Sequence, residues 1–101
     1  MAYEGASLDA NLAAAAGHDP ELVRELRAAF IESAERQVDL LGRARCDGNW
    51  HVAALRLKGL AASFHAEGLI DLAEEALDGA PGDPAILRRL RQMLADLAIE
   101  P

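Results

Sequence analysis

The chain has one cysteine, few aromatic side chains and no excess of positive charge. The single cysteine, Cys46, excludes an internal disulfide and any metal site built from several cysteines. Aromatic residues make up 4% of the chain and hydrophobic residues 51%, so the core must consist mainly of leucine and alanine packed between helices. The formal net charge of −7 argues against nucleic acid as a partner, because that binding relies on lysine and arginine to neutralise phosphates.

Long apolar runs are also missing from the sequence. None approaches the roughly 20 residues that a membrane-spanning helix needs. The start, Met1-Ala2-Tyr3-Glu4-Gly5, lacks the charged and then apolar pattern of a signal segment. We therefore expect a cytoplasmic protein that does not bind membranes. A length of 101 residues is enough for one domain, so residues 1–101 are interpreted as a single domain.

The spacing of apolar residues indicates helices along the whole chain, and strand signals are absent. Asp19-Pro20 and Asp83-Pro84 each combine an N-cap residue with proline in the first turn, which is a strong helix start. The pattern predicts five helices: Ser7 to Ala16 with Ser7 as N-cap, Pro20 to about Arg45 ending in Asp47-Gly48-Asn49, about Asn49 to Phe64, one through Leu69 and Leu77, and one from Pro84 through Leu97. The predicted fold is all-α, an antiparallel up-down four-helix bundle with a short N-terminal capping helix.

The second helix carries one long apolar stripe, with two further apolar residues on its flank. Ile31 and Val38 lie off this stripe, two turns apart, and we interpret them as the surface that receives the N-terminal helix. An extended partner-binding surface is the alternative. The predicted stripe comprises Leu22, Val23, Leu26, Ala29, Phe30, Ser33, Gln37, Leu40, Leu41 and Ala44.

The third helix has a well-defined buried side and an unusual outer side. Leu55 lies about 160° around the helix from Leu57, which places it in solvent beside Lys58 and Gly59. A glycine inside a helix costs about 1 kcal/mol relative to alanine, and close approach of another molecule would explain it. A tolerated glycine and an ordinary exposed leucine are the simpler explanation. The predicted buried residues are Trp50, Ala53, Ala54, Leu57, Leu60, Ala61 and Phe64.

This stretch carries a resemblance to a known family. Ala54-Leu55-Arg56-Leu57-Lys58-Gly59 resembles the signature of histidine-containing phosphotransfer (Hpt) domains, Ala-His-x-Leu-Lys-Gly, with leucine in place of the phosphorylated histidine. The similarity covers most of the chain, through Asp19-Pro20-Glu21-Leu22, Phe30, Leu60-Ala61-Ala62-Ser63-Phe64, Ala66, Leu69, Leu72 and Ala73. It departs from the family at Leu55, at His65 where a glycine usually ends the helix, and in the shorter stretch between Asp47 and Leu55.

The first departure determines what the resemblance implies. In such domains the acceptor histidine attacks an aspartyl phosphate and a nearby cation balances the charge. Lys58 could supply the cation, but Leu55 cannot be phosphorylated. The resemblance therefore implies a domain of bacterial two-component signalling that binds a response-regulator receiver domain or a histidine kinase without transferring phosphate. We expect no enzymatic activity, no catalytic residue and no cofactor. The predicted partner-binding residues are His51, Val52, Leu55, Lys58, Gly59 and Ala62.

Two alternatives to this hypothesis remain. His51 lies one turn before position 55 on the same side and would be a displaced phosphoacceptor, although a solvated surface histidine is the simpler interpretation. The chain would otherwise be a helical adaptor unrelated to two-component signalling. His51 and His65 are separated by 14 residues, or about 21 Å along a helix, so they cannot share a metal ion, and no metal site is predicted.

Overall fold

The computed structural model describes residues 4–98, with side chains from residue 8 onward. Met1-Ala2-Tyr3, which entered the expectation about a signal segment, lies outside this range, as does the side chain of Ser7. Residues 4–98 contain no strand, so the all-α prediction is confirmed. The helices are α1 (Glu4–Ala15), α2 (Pro20–Arg43), α3 (Asp47–Ser63), α4 (Glu67–Asp78) and α5 (Pro84–Ala98).

The two predicted aspartate caps are present at the helix starts. The carboxylate of Asp19 accepts hydrogen bonds from the backbone N–H groups of Glu21 at 3.0 Å and Leu22 at 3.4 Å. The carboxylate of Asp83 accepts one from the N–H of Ala85 at 2.9 Å. These bonds satisfy N–H groups that have no partner within the first turn of a helix. The starts of α2 and α5 are therefore fixed by local sequence.

Two predicted boundaries are wrong. Helix α1 already includes Glu4, so Ser7 lies inside the helix and is not its N-cap. The stretch 47–49 does not form a turn after α2. It forms the first turn of α3, and the connection between the two helices is only residues 44–46. An acidic Asp47 near the N-terminus of α3 interacts favourably with the helix dipole, whereas the glycine and asparagine after it suggested a turn.

Helices α3, α4 and α5 each pack against two neighbours, and α2 packs against three. Helices α2 and α4 each contact both α3 and α5, while α1 packs on α2. The structure thus shows helices packed around a shared core. The antiparallel four-helix topology with a capping helix stays a prediction. The core is mainly leucine and alanine, and its fully buried large side chains are Leu8, Leu12, Leu41, Leu57, Leu69, Leu90 and Leu97.

The buried side of α2 differs from the predicted stripe. Leu22 and Leu40 are 40% and 46% exposed, although both belong to that stripe. Ile31 and Val38, placed on its flank, are buried. Val38 shares the lining of a surface cavity with Leu94 and Ala95, so α5 borders it. Because α2 packs against α3 on one side and α5 on another, its buried arc is turned and widened relative to a single stripe.

Polar contacts attach α1 to α2 and to the C-terminal end of α3, and Arg27 of α2 also bonds to α5. The guanidinium of Arg27, a residue only 8% exposed, pairs with the carboxylate of Asp9 and donates to the carbonyl of Leu97 at 2.5 Å. The side-chain amide of Asn11 donates to the carbonyl of Phe64 at 2.7 Å. These hydrogen bonds fix the orientation of α1, whose Leu8 and Leu12 are buried in the core.

Helix α3 is held against α4 by its tryptophan. The indole N–H of Trp50 is buried and donates to the carbonyl of Ala76 at 2.6 Å. At the other end of α3, the ring of Phe64 meets Phe30 edge to face, with centroids 5.7 Å apart. Trp50 and Leu57 are buried as predicted, whereas Leu60 and Phe64 are only partly buried. These contacts fix which side of α3 faces the solvent.

One exposed ion pair links α4 to α5. Arg89 donates two hydrogen bonds to the carboxylate of Glu75, at 2.8 and 3.0 Å. The hydrogen bond from Arg89 holds the pKa of Glu75 below its ordinary value, and the pKa of Arg89 is raised by the same bond. Arg89 lies in a cluster of three arginines on α5, with Arg88 and Arg91, so part of the positive charge of that cluster is neutralised within the chain. None of the helices in residues 4–98 is both long enough and apolar enough to cross a membrane.

Candidate docking surface on α3

The six predicted partner-binding residues lie together on the solvent side of α3. We call this set the outer face: His51, Val52, Leu55, Lys58, Gly59 and Ala62. Leu55 and Val52 are 46% and 45% exposed, whereas Leu57 is 0% exposed. The prediction that Leu55 faces solvent while Leu57 is buried is therefore confirmed. Two large apolar side chains in the middle of an exposed helix side form a small apolar patch.

Gly59 lies one turn after Leu55 and has open space beside it. Apart from its chain neighbours and the backbone of its own helix, no atom of the described residues lies within 4 Å of the place where a side-chain Cβ would be. Its carbonyl accepts a hydrogen bond from the Ser63 hydroxyl at 3.0 Å, which any residue at position 59 would also permit. No neighbouring atom of residues 4–98 requires a glycine here, yet the residue costs helix stability.

Lys58 is the cation of the outer face, and it is already paired. Its ammonium lies 3.3 Å from a carboxylate oxygen of Glu74 on α4. Both side chains are substantially exposed, so the pair contributes little to stability. It orients the lysine towards α4, at the edge of the outer face.

A groove between α2 and α3 extends the apolar patch, and sequence reasoning missed it. The cavity has a volume of about 420 Å³, and Leu40 and Val52 line it from the two helices. Leu40 was assigned to the core, which hid its place on this surface. Leu22 and Leu40 are 18 residues apart, which is five full helical turns. This spacing could have predicted that the two leucines share one side of α2. The groove is lined by Leu40, Arg43, Ala44, Asn49, Val52, Ala53 and Arg56.

His51 is exposed and lies one turn before Leu55, the signature position of the Hpt resemblance. Four residues separate it from Leu55, which is about 6 Å along the helix axis, and the level of Lys58 is about 10 Å away. It borders a second cavity, with Leu77 and Pro81, towards the α4–α5 connection. Within residues 4–98, no group of three His, Cys, Asp or Glu side chains is placed to hold a metal ion.

The end of α3 accounts for one departure from the family pattern. His65 has a φ of +55°, a left-handed conformation that favours glycine. The N–H of Ala66 donates to the carbonyl of Ala61 at 2.9 Å, and the N–H of His65 donates to that of Ala62 at 3.2 Å. This is the hydrogen-bond pattern of a Schellman cap, in which glycine is the usual residue. A histidine therefore occupies a position whose backbone suits glycine.

Comparison of the chain with models of protein families, with curated proteins and with solved structures gives no match. The similarity to Hpt domains consequently rests on the residues quoted above, and the function remains a matter for proposal.

Proposed function

We propose that the chain is an Hpt-like helical domain that has lost its phosphoacceptor and binds a partner of bacterial two-component signalling. The partner is a response-regulator receiver domain or a histidine kinase, and the outer face of α3 is its docking surface. The fold belonging to this proposal is the antiparallel four-helix bundle capped by α1. The observation that carries the proposal is the exposed Leu55 at the signature position, beside a glycine with open space around it.

The physical basis of the proposal is that the outer face lowers the stability of the isolated chain, through exposed apolar surface and a glycine within the helix. Leu55 and Val52 remain nearly half exposed, so burying them against a partner would recover hydrophobic free energy at about 25 cal/mol per Å² of apolar surface. Gly59 destabilises the helix and leaves room for a close approach. Both features favour association and neither favours phosphate transfer, because leucine has no nucleophilic atom.

We expect the chain to stay unlabelled when it is incubated with a kinase and receiver pair that phosphorylates an ordinary Hpt domain. The reason is the absence of an imidazole at position 55. The measurement is radioactive phosphate on the chain, with a phosphohistidine recognised because it survives base and is lost in acid. Acid-labile phosphate that disappears in a His51→Ala variant would contradict this expectation and assign the acceptor role to His51.

Replacing Leu55 with aspartate should weaken receiver binding by about 2 kcal/mol or more, because a charge would enter a desolvated contact. Gly59→Gln should also weaken binding, since its side chain fills the space for the partner, while helix stability should stay equal or rise slightly. Isothermal titration calorimetry with receiver domains from the same organism measures the affinities. Thermal melts verify that both variants are folded.

The matched control for this experiment is Leu22→Asp. Leu22 is similarly exposed but lies about 27 Å along α2 from Leu40, so this change should leave receiver binding intact. If Leu55→Asp melts normally and binds as tightly as the parent chain, the outer face is not the docking surface. If no receiver or kinase binds the parent chain at all, the helical-adaptor alternative replaces the proposal.

A further inference from the structure

The outer side of α3 carries a heptad pattern in addition to the six outer-face residues. Counting from Gly48, the exposed residues with small or apolar side chains follow at intervals of four, three, four and three. This is the a/d spacing by which two helices pack side by side. We call these residues the exposed seam: Gly48, Val52, Leu55, Gly59 and Ala62.

The seam has two projecting positions that lie between two receding ones. Val52 and Leu55 project from the middle. At the two glycines, nothing in the described residues apart from the chain neighbours and the helix's own backbone lies within 4 Å of where a Cβ would be. In helix packing, side chains of one helix insert into spaces between side chains of the other. The seam therefore offers two apolar projections and two recesses to a single helix laid along α3. Leu40, across the α2–α3 groove, adds an apolar wall on one side.

The positions that flank the seam are basic or neutral. His51 and Lys58 lie on the side towards α4, and Arg56 lies on the side towards α2. The acidic residue of α3, Asp47, is confined to its first turn. In a chain with a net charge of −7, the exposed apolar residues of α3 are thus flanked by two cations, Arg56 and Lys58.

Arg56 is the flanking cation that is free to bind a partner. Lys58 pairs with Glu74, and Arg43, across the groove, pairs with Asp39 at 3.1 Å. Arg56 makes neither an ion pair nor a hydrogen bond through its side chain to any part of residues 4–98. Arg56 lines the groove together with Val52 and Ala53, where a carboxylate of a bound helix would meet its side chain.

We propose that the partner presents one amphipathic helix to α3, with an apolar heptad seam and acidic residues on the flank that faces α2. This inference rests on the proposed function and specifies the contact element of the same surface. A second copy of the chain fits less well. In a parallel pair Arg56 of one copy would meet His51 of the other, and in an antiparallel pair it would meet Arg56, so neither pairing gives it a carboxylate partner.

Two designed peptides test the inference directly. Each has three heptads with leucine at both seam positions, and the flanking positions are glutamate in one peptide and lysine in the other. With a fluorescent label on each peptide and the full chain as titrant, anisotropy should show binding of the glutamate peptide. The lysine peptide should bind at least about tenfold more weakly, because its flanks repel Arg56 and Lys58.

A variant with the charge of Arg56 reversed tests whether this residue selects the acidic peptide. Arg56→Glu should weaken binding of the glutamate peptide about tenfold and strengthen binding of the lysine peptide. The matched control is Arg88→Glu, an equal change at an exposed position on α5, which should change neither affinity. Because both arginines are exposed, both variants should melt like the parent chain.

Equal binding of the two peptides, binding of neither, or an unchanged affinity in Arg56→Glu would overturn the inference. A dimer in analytical ultracentrifugation that Leu55→Asp dissociates would also overturn it, by assigning the seam to a second copy. The receiver titration separates this inference from the proposed function. Receiver binding without peptide binding rejects the acidic helix alone, whereas peptide binding without any receiver or kinase rejects the signalling partner alone.

Discussion

A Leu57→Asp variant should be unfolded at room temperature. Leu57 is 0% exposed and lies at the centre of α3, so the change removes a core leucine, at about 2–5 kcal/mol, and buries a carboxylate without a partner, at several kcal/mol more. The total approaches or exceeds the 5–15 kcal/mol by which a typical domain is stable. Far-ultraviolet circular dichroism would show the loss of helix, and a thermal scan would show no cooperative transition.

The informative control is the same substitution two residues earlier. Leu55→Asp adds the same charge to the same helix, but on its solvent side, so the free energy of unfolding should change by less than about 1 kcal/mol. Cooperative unfolding of Leu57→Asp near the parent's melting temperature would contradict the side of α3 that is assigned to the core. The outer face would then lose its structural basis.

Removing Asp9 should destabilise the chain by about 3 kcal/mol, which is more than removing the charge of its partner. Arg27 is buried, and without Asp9 its guanidinium retains only the carbonyl of Leu97. Breaking a buried ion pair from one side costs about 3–5 kcal/mol, and the lower end applies because Asp9 itself is partly exposed. Urea denaturation of Asp9→Ala, followed by circular dichroism, would measure the change.

The opposite variant separates charge from packing. Arg27→Met keeps most of the buried side-chain volume, and the Asp9 carboxylate that it leaves behind can be hydrated because 41% of that side chain is exposed. We therefore expect a smaller loss, of about 1 kcal/mol. If Asp9→Ala and Arg27→Met lowered the free energy of unfolding equally, burial of an unpaired Arg27 charge would not be the main cause of the destabilisation.

Local sequence predicts α3 well because each of its sides has a distinct environment. Trp50 and Leu57 lie on the side covered by the neighbouring helices, and Leu55 lies opposite. The spacing of three and four residues alone therefore assigns the exposed and buried sides. The capped starts at Asp19 and Asp83 are equally local, since each depends on one carboxylate and on N–H groups two or three residues later.

The side of α2 that is buried could not be predicted in the same way. Its orientation depends on α3 and α5 together, and a single stripe cannot represent a helix covered on more than one side. Arg27 is the clearest case, because its burial depends on Asp9 and on the Leu97 carbonyl 70 residues away. For the same reason, the exposure of Leu40 and the groove beside it emerge only when α2 and α3 are placed side by side.

The position of Trp50 allows its intrinsic fluorescence to report on the folding of the core. It is the single tryptophan of the sequence, and its indole is enclosed between α3 and α4 with its N–H bonded to Ala76. Unfolding would move the ring from an apolar, hydrogen-bonded site into water and shift its emission to longer wavelength. A ligand bound on the opposite side of the helix would leave that environment unchanged. Intrinsic fluorescence can thus follow the integrity of the core during a docking titration without responding to the docking itself.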